Sequence, residues 1–443
     1  MNRLKLYLDE NQENELHPSE IANILRELNE EDFSDAVGLI PKDIIGDIAL
    51  ILPDRYFGDI VESLDVTELK EAISELESDD QTDFMQELQD HDEQVASEVF
   101  ETLDKEDQID IIRLQNYEEN QAGSYMQTEV FTAIKDEIVQ DVVTNFAQLK
   151  KSNELENVHT LFITTNEKTL RYSVDLEDLL IFDFSKTLHE NIIESGENFE
   201  PITARDSDDI ANVVQAFEEY DLSVIPIINN KNMLLGRITS DDIYNIISEQ
   251  ATEQMYNLAG LDDEAEEDEE ILKAGKKRAS WLGLNLITAI LASLVIGLFA
   301  ETIESIVALA ILMPIVASMG GNAGTQTLTV VVRQLALGDI SHTDATRIIK
   351  KEVSISLLNG IIFAVLMGII ASFWFDNGIL LGVVIALSML INLIIAGFFG
   401  ATIPLLLKRM DVDPAIGSTV ILTTVTDIVG FFSFLGLATL ILL

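Results

Sequence analysis

The sequence predicts a multidomain chain: an all-α helical-repeat domain, a tandem pair of α/β modules, a connecting helix, and an α-helical membrane domain of five transmembrane helices. Three observations lead there. Ahead of Lys273, the first 272 residues carry 17 Lys and Arg against 68 Asp and Glu, whereas the last 171 carry 10 against 9. Two repeats of different period fill the acidic part, and five long apolar stretches fill the rest. At 443 residues the chain exceeds one core. The expected boundaries are 1–126 for the acidic helical repeats, 127–248 for the paired modules, 249–279 for a connecting, plug-like helix with an acidic linker, and 280–443 for the membrane domain.

The charge excludes nucleic acid as a partner, because phosphates need Lys and Arg. So acidic a surface repels itself unless cations or a basic partner neutralise it. Metal cations are the obvious counterions, although plain solubility accounts for the same count. With no cysteine, disulfides, thiolate zinc sites and cysteine nucleophiles are excluded. The opening MNRLKLYLDENQENE has no apolar run, so no cleavable signal peptide is expected.

From Leu16 an apolar residue recurs every twelve positions, at Leu28, Ile40, Leu52, Leu64, Leu76 and Leu88. Units such as PKDIIGDIALIL and DVTELKEAISEL open with Pro or acids and close with apolar residues at helical spacing. A fixed period of short helices predicts a right-angled stack in which each unit buries its face on its neighbours.

A second repeat, at a spacing of 64, aligns HTLFITTNEKTLRYSVDLEDLLI from His159 with SVIPIINNKNMLLGRITSDDIYNI from Ser223. Ile163 matches Ile227, Val174 matches Ile238, and Asp178 matches Asp242. Each copy reads as strand, polar turn, strand and helix. The pair resembles tandem CBS domains, which implies a regulatory ligand that is an adenine nucleotide such as ATP or another small molecule. In that family a Gly-x-x-Thr/Ser-x-x-Asp run contacts ribose, matched here by Gly236, Thr239 and Asp242. The first module has Tyr172, Asp175 and Asp178 instead, and Thr239 also reads as a helix N-cap.

Beyond the modules, Ile243, Ile246, Ile247, Met255 and Leu258 give a helical pattern able to carry movement to the spans, and Asp262 to Glu270 reads as a solvated linker.

Spans of about 20 apolar residues are expected at Trp281 to Ala300, Ile306 to Val332, Val353 to Phe375, Gly378 to Leu407, and Ala415 to Leu443. Lys273, Lys276, Lys277 and Arg278, then Arg333, Arg347, Lys350 and Lys351, then Lys408 and Arg409 all fall on one side, opposite Glu301, Glu304 and Asp376. By the positive-inside rule that side is the cytoplasm. The N-terminal acidic part is then cytoplasmic, the C-terminus outside, and the chain a multi-pass protein of the cell membrane.

Within the second span, Pro314 with Gly320, Gly321 and Gly324 weakens the helix and allows close backbone approach. Asn322, Thr325, Gln326 and Thr327 offer neutral oxygen and amide groups suited to hard cations or their water. Close packing through small residues explains the glycines equally well. Asp427 is the only ionisable side chain from Pro414 to Leu443. A carboxylate at mid-bilayer costs about 2.5–3.5 kcal/mol on insertion scales. No Lys, Arg or His in the expected spans offsets that cost, so a passing cation or water would have to, unless the group stays protonated against a neighbouring helix. Thr423, Thr424 and Thr426 flank it.

PIVASMGGNAGTQ in the second span, VDPA at Val412 to Ala415 and TDIVG around Asp427, behind a helical stack and two CBS modules, resemble the MgtE family of magnesium channels and transporters. The resemblance implies a homodimer in the lipid bilayer with a cation path between protomers. Asp427 would hold hydrated Mg²⁺, and Asn322, Thr423 and the loop of Gly320, Gly321 and Gly324 would line the path. It further implies that cytosolic Mg²⁺ closes the channel by bridging acids: Asp47, Asp79 and Asp83 of the stack, Asp242 of the second module, Glu249 and Glu253 of the connecting helix, and Asp413 before the last span. Where the family tends to have further acids, this chain has Asn245, Gln250 and Gln254, so weaker sensitivity to cytosolic Mg²⁺ is expected.

Two other classes stay open: a proton-coupled divalent cation transporter using Asp427 as its proton and cation site, and an anion channel, which would have to tolerate Asp427 without a base. No enzyme is expected, since neither a phosphate loop G-x-x-x-x-G-K-[ST] nor H-E-x-x-H occurs.

Overall fold

The short helices of the acidic repeat exist because side chains cap three of them and all bury one face in a common core. The computed structural model describes residues 2–10, 16–53, 55–152, 155, 157–261, 271–336, 340, 345–375, 378–410 and 412–443. They form two compact units, Met1–Ile247 and Ser248–Leu443. The first opens with α1 (Asn2–Glu10), α2 (Pro18–Leu25), α3 (Glu30–Val37), α4 (Ile45–Ile51), α5 (Arg55–Glu62), α6 (Val66–Ser74), α7 (Ser78–His91), α8 (Glu93–Thr102) and α9 (Lys105–Leu114). Asn29 accepts from the Asp32 amide, Asp65 and Glu68 form a capping box, and Asp92 accepts from Gln94 and Val95. Helices this short are marginal alone. A continuous core containing Phe33, Phe57 and Phe84 holds them. Leu28, Ile40, Leu52, Leu64 and Leu76 each follow a helix end, so the twelve-residue period is helix plus turn. The period stops at α7, whose 14 residues run through Leu88 and bury Phe84 and Leu88 one turn apart.

The 64-residue repeat is two copies of one sheet. The first copy is β1 (Thr132–Ile134), α10 (Val139–Lys151), β2 (Thr160–Thr164), β3 (Leu170–Asp175) and α11 (Leu176–Ile181), followed by α12 (Leu188–Ser195). The second is β4 (Ala204–Arg205), α13 (Ile210–Tyr220), β5 (Val224–Ile228), β6 (Leu234–Thr239) and α14 (Ser240–Ala259). Each sheet pairs its first two strands in parallel across a helix and its last two as a hairpin. The bulges at Ile163/Thr164 and Ile227/Ile228, and the left-handed residues Lys168 and Asn232, keep the 64-residue offset. The hairpins also join each other, Leu170 N–H donating to Asn232 O (3.0 Å) and Leu234 N–H to Lys168 O (2.9 Å).

α14 continues unbroken from the second module to Ala259 and stops at Gly260 (φ +73°), where the Leu261 amide donates to Tyr256 O in a Schellman closure. The second unit continues with α15 (Ile271–Gly297), α16 (Ala300–Ser305), α17 (Ala308–Ala336), α18 (Ala345–Trp374), α19 (Gly378–Arg409) and α20 (Ser418–Leu442). All but α16 hold apolar windows long enough to cross a membrane. α19 is the hub, packed on α17, α18 and α20, while α15 turns Leu282, Leu286, Ile290 and Leu294 outward. The first span ends at Gly297 rather than Ala300, which already opens α16. The expected glycine loop in the second span is corrected: α17 is one helix through Pro314 and all three glycines. Close packing is the reason, since Gly320 and Gly324 are buried against neighbouring helices. Arg347, Lys350 and Lys351 open α18, and Lys408 and Arg409 end α19, where cations suit the helix C-terminus. The acidic linker Asp262 to Glu270 and Asp376 lie outside the described residues.

Candidate ion path and acidic junction

α20 carries Asp427 in mid-helix, half-buried, and among the described residues no charged side chain faces it. The threonines around it spend their protons on their own helix. Thr423 donates to Thr419 O (2.9 Å), Thr424 to Val420 O (2.6 Å) and Thr426 to Thr423 O (3.0 Å). Thr426 is fully buried, while the half-buried Thr423 and Thr424 keep their oxygens as acceptors, so they can receive water protons but not supply them. On α17, Asn322 and Gln326 lie one turn apart and exposed, and space beside Gly321 is open. Gly320 and Gly324 instead face inward, Gly320 onto Asn392 and Gly324 onto Leu422. The candidate path residues thus divide: Asn322 and Gly321 on an open edge, Gly320 and Gly324 in the packing.

Glu352, on α18 beside Lys350 and Lys351, escaped the sequence reading because it borders the third apolar stretch. It is 6% exposed, and Thr327 Oγ1 of the second span donates to its Oε2 at 3.4 Å. Asp413 lies beside the end of α14. Its Oδ2 accepts from Asn257 Nδ2 (3.2 Å) and its Oδ1 from the Ala415 amide (2.8 Å), while Thr419 Oγ1 donates to Leu258 O (2.9 Å). The end of α14 is thereby fastened to the helix that bears Asp427. Glu249 and Glu253 lie on α14 in this second unit.

In the first unit, two helix N-termini gather carboxylates. Glu77 precedes α7, Asp79 and Asp80 lie in its first turn, and Asp241 and Asp242 lie in the first turn of α14. Helix N-termini favour such groups singly, yet together they repel. Burial first, then neighbouring acids, pushes Glu77 up to about 8, against the opposing pull of Arg237, and Asp80 up to about 7, with Asp83, Asp242 and Asp47 contributing. Asp79 is raised by the same causes, and its Oδ1 is buried without a hydrogen-bond partner. Asp47, Asp79, Asp83 and Asp242 are therefore brought together, with Glu77, Asp80 and Asp241 added. Among the described residues no three acidic or histidine side chains converge as a ready metal cage.

Arg237, 3% exposed, is the cation inside this cluster. It donates to Glu77 Oε1 (3.3 Å), Gln127 Oε1 (3.1 Å) and Asn157 O (3.1 Å). Asp242 Oδ2 accepts from Thr239 N (3.2 Å), Thr239 Oγ1 (2.7 Å) and Gln127 Nε2 (3.3 Å). Thr239 thus sits in the N-cap position with Asp242 reaching back to its amide, as in half a capping box. The two residues from which a ribose contact is expected are thus hydrogen-bonded to each other.

Among the described residues, five membrane-length helices with a lone carboxylate in the last, in one chain with an acidic unit of helical repeats and paired α/β modules, define a polytopic membrane transporter. Family models match at residues 16–120 (the MgtE intracellular N domain), 197–249 (a CBS domain) and 313–437 (MgtE, divalent cation transporter). The magnesium transporter MgtE of Bacillus subtilis is 31% identical over 327 residues, 74% of this chain and 70% of that one. That of Thermus thermophilus is 27% identical over 342 residues, 77% and 74% of the two chains. A solved cytosolic domain of the Mg²⁺ channel MgtE in complex with ATP superposes with a TM-score of 0.48 at 22% identity, covering 52% of this chain and 91% of that one. The chain belongs to the MgtE family.

Proposed function

We propose that this chain carries Mg²⁺ across the cell membrane as a homodimer, its acidic unit in the cytosol and its C-terminus outside. The observation that carries this reading is Asp427, a carboxylate held in a membrane-length helix with no base facing it. Such a group needs a cation or water. Mg²⁺ dehydrates reluctantly and is commonly held by one or two carboxylates through its remaining waters. A single carboxylate with the acceptor oxygens of Thr423 and Thr424 one turn before it on the same helix fits a hydrated ion. The exposed edge of Asn322 and Gln326 on α17 suits a path completed by a second copy.

Cytosolic Mg²⁺ would act at the acidic junction, where Asp47, Asp79, Asp83 and Asp242 interact and Asp79 Oδ1 lacks a partner. A divalent cation there offsets repulsion and draws the stack onto the second module, which is the expected closing signal.

Mg²⁺ uptake into proteoliposomes tests the path. Asp427→Asn should fold, remain dimeric and lose flux. Unchanged flux would remove Asp427 from the path. Loss of wild-type flux on adding a proton uncoupler at zero membrane potential would favour the proton-coupled reading instead.

A further inference from the structure

Asn392 stands in the middle of the most buried span, at 0% exposure. Its Nδ2 donates to Val316 O of α17 at 2.9 Å. Its Oδ1 is buried with no partner. Two glycines make room for the carboxamide: a Cβ on Gly320 of α17 would overlap its nitrogen, and one on Gly430 of α20 would lie 2.8 Å from it. Oδ1 itself lies 3.0 Å from the Gly320 Cβ position and 3.4 Å from that of Gly430, in the seam between the two helices. Gly430 is three residues, about one helical turn, beyond Asp427.

An unpaired buried amide oxygen costs about 1–3 kcal/mol, and an aliphatic side chain nearer its volume, such as valine, would fill the seam without that cost. Packing alone therefore does not account for Asn392. Its Oδ1 needs a donor, and neither adjoining helix offers one. Water is the donor available beside a hydrated cation path, and a polar seam can hold it where an apolar one stays dry.

Resting on the reading that Mg²⁺ passes Asp427, we propose that Asn392 is a positioning residue of that path: its carboxamide fixes the glycine segment of the second span against the last, one turn from Asp427, and its Oδ1 holds a water belonging to the path.

Mg²⁺ uptake by the full-length protein in proteoliposomes, over a range of Mg²⁺ and with Ca²⁺ as competitor, tests this. Asn392→Val removes the amide with little added volume, and the pair Asn392→Ala with Gly430→Ala returns a methyl to the seam. Both should keep the wild-type melting temperature within a few degrees, while maximal flux falls at least tenfold and Ca²⁺ competes better. Wild-type flux and selectivity in either variant would overturn the proposal, leaving Asn392 as packing. Failure of both to fold would overturn it too, since the amide would then serve the fold. Asp427→Asn, run in parallel, separates the layers. Flux unchanged there sinks the path itself, whereas flux lost there but kept in the Asn392 variants sinks only the role of Asn392.

Discussion

Arg237 on β6 reaches Glu77 at the start of α7, Nη2 to Oε1 at 3.3 Å, across 160 residues of chain. The pair joins the second α/β module to the helical stack inside a ring of acids. Within it the Arg237 guanidinium is a buried positive charge that opposes the burial and repulsion raising Glu77.

Removing that cation should be costly. Near pH 9, where Glu77 and Asp80 are ionised, Arg237→Met would leave Glu77, Asp79, Asp80 and Asp242 facing one another, and breaking a buried pair by deleting one partner costs about 3–5 kcal/mol. Melting of the full chain should show that loss, with a larger recovery on adding Mg²⁺ than in the wild type. A loss below about 1 kcal/mol, the range of an exposed pair, would mean the junction relaxes around the gap.

The junction should also respond to pH in a direction opposite to that of an ordinary salt bridge. Glu77 and Asp80 titrate near 8 and near 7 in the fold, above their ordinary values of 4.5 and 3.8. The folded state therefore holds more protons than the unfolded one between those values, so stability falls as pH rises through about 7 to 8. In chelator, the melting temperature should decline from about pH 5 to about pH 9, and millimolar Mg²⁺ should remove most of the decline by taking the protons' place. A profile rising with pH would contradict the assignment.

On α14, Gln250 and Gln254 are one turn apart on one face, beside Glu249 and Glu253. Gln250→Glu with Gln254→Asp adds two carboxylates whose repulsion a divalent cation would relieve. Inhibition by cytosolic Mg²⁺ should then set in at several-fold lower concentration, measured as flux against internal Mg²⁺. Equal sensitivity would show that these positions do not take part in closure.

Sequence alone determined what repeats and what is apolar. The twelve-residue period marked α2 to α6, the offset of 64 placed four strands in register, and hydropathy located five membrane-length helices with Asp427 inside the last. These features are legible because each is periodic or compositional, and secondary structure follows such local patterns. Only the tertiary structure decided which polar groups meet. Arg237 reads as one more charge in GRITSDD until its burial is seen, Glu352 as the flank of a span, and Asn392 as a stray amide among leucines and isoleucines. Asn392 meets Val316 across 76 residues, and Gly320 and Gly324 of α17 form a packing seam rather than a loop. Such partners are chosen by helix packing between distant segments, which leaves no period in the chain to read.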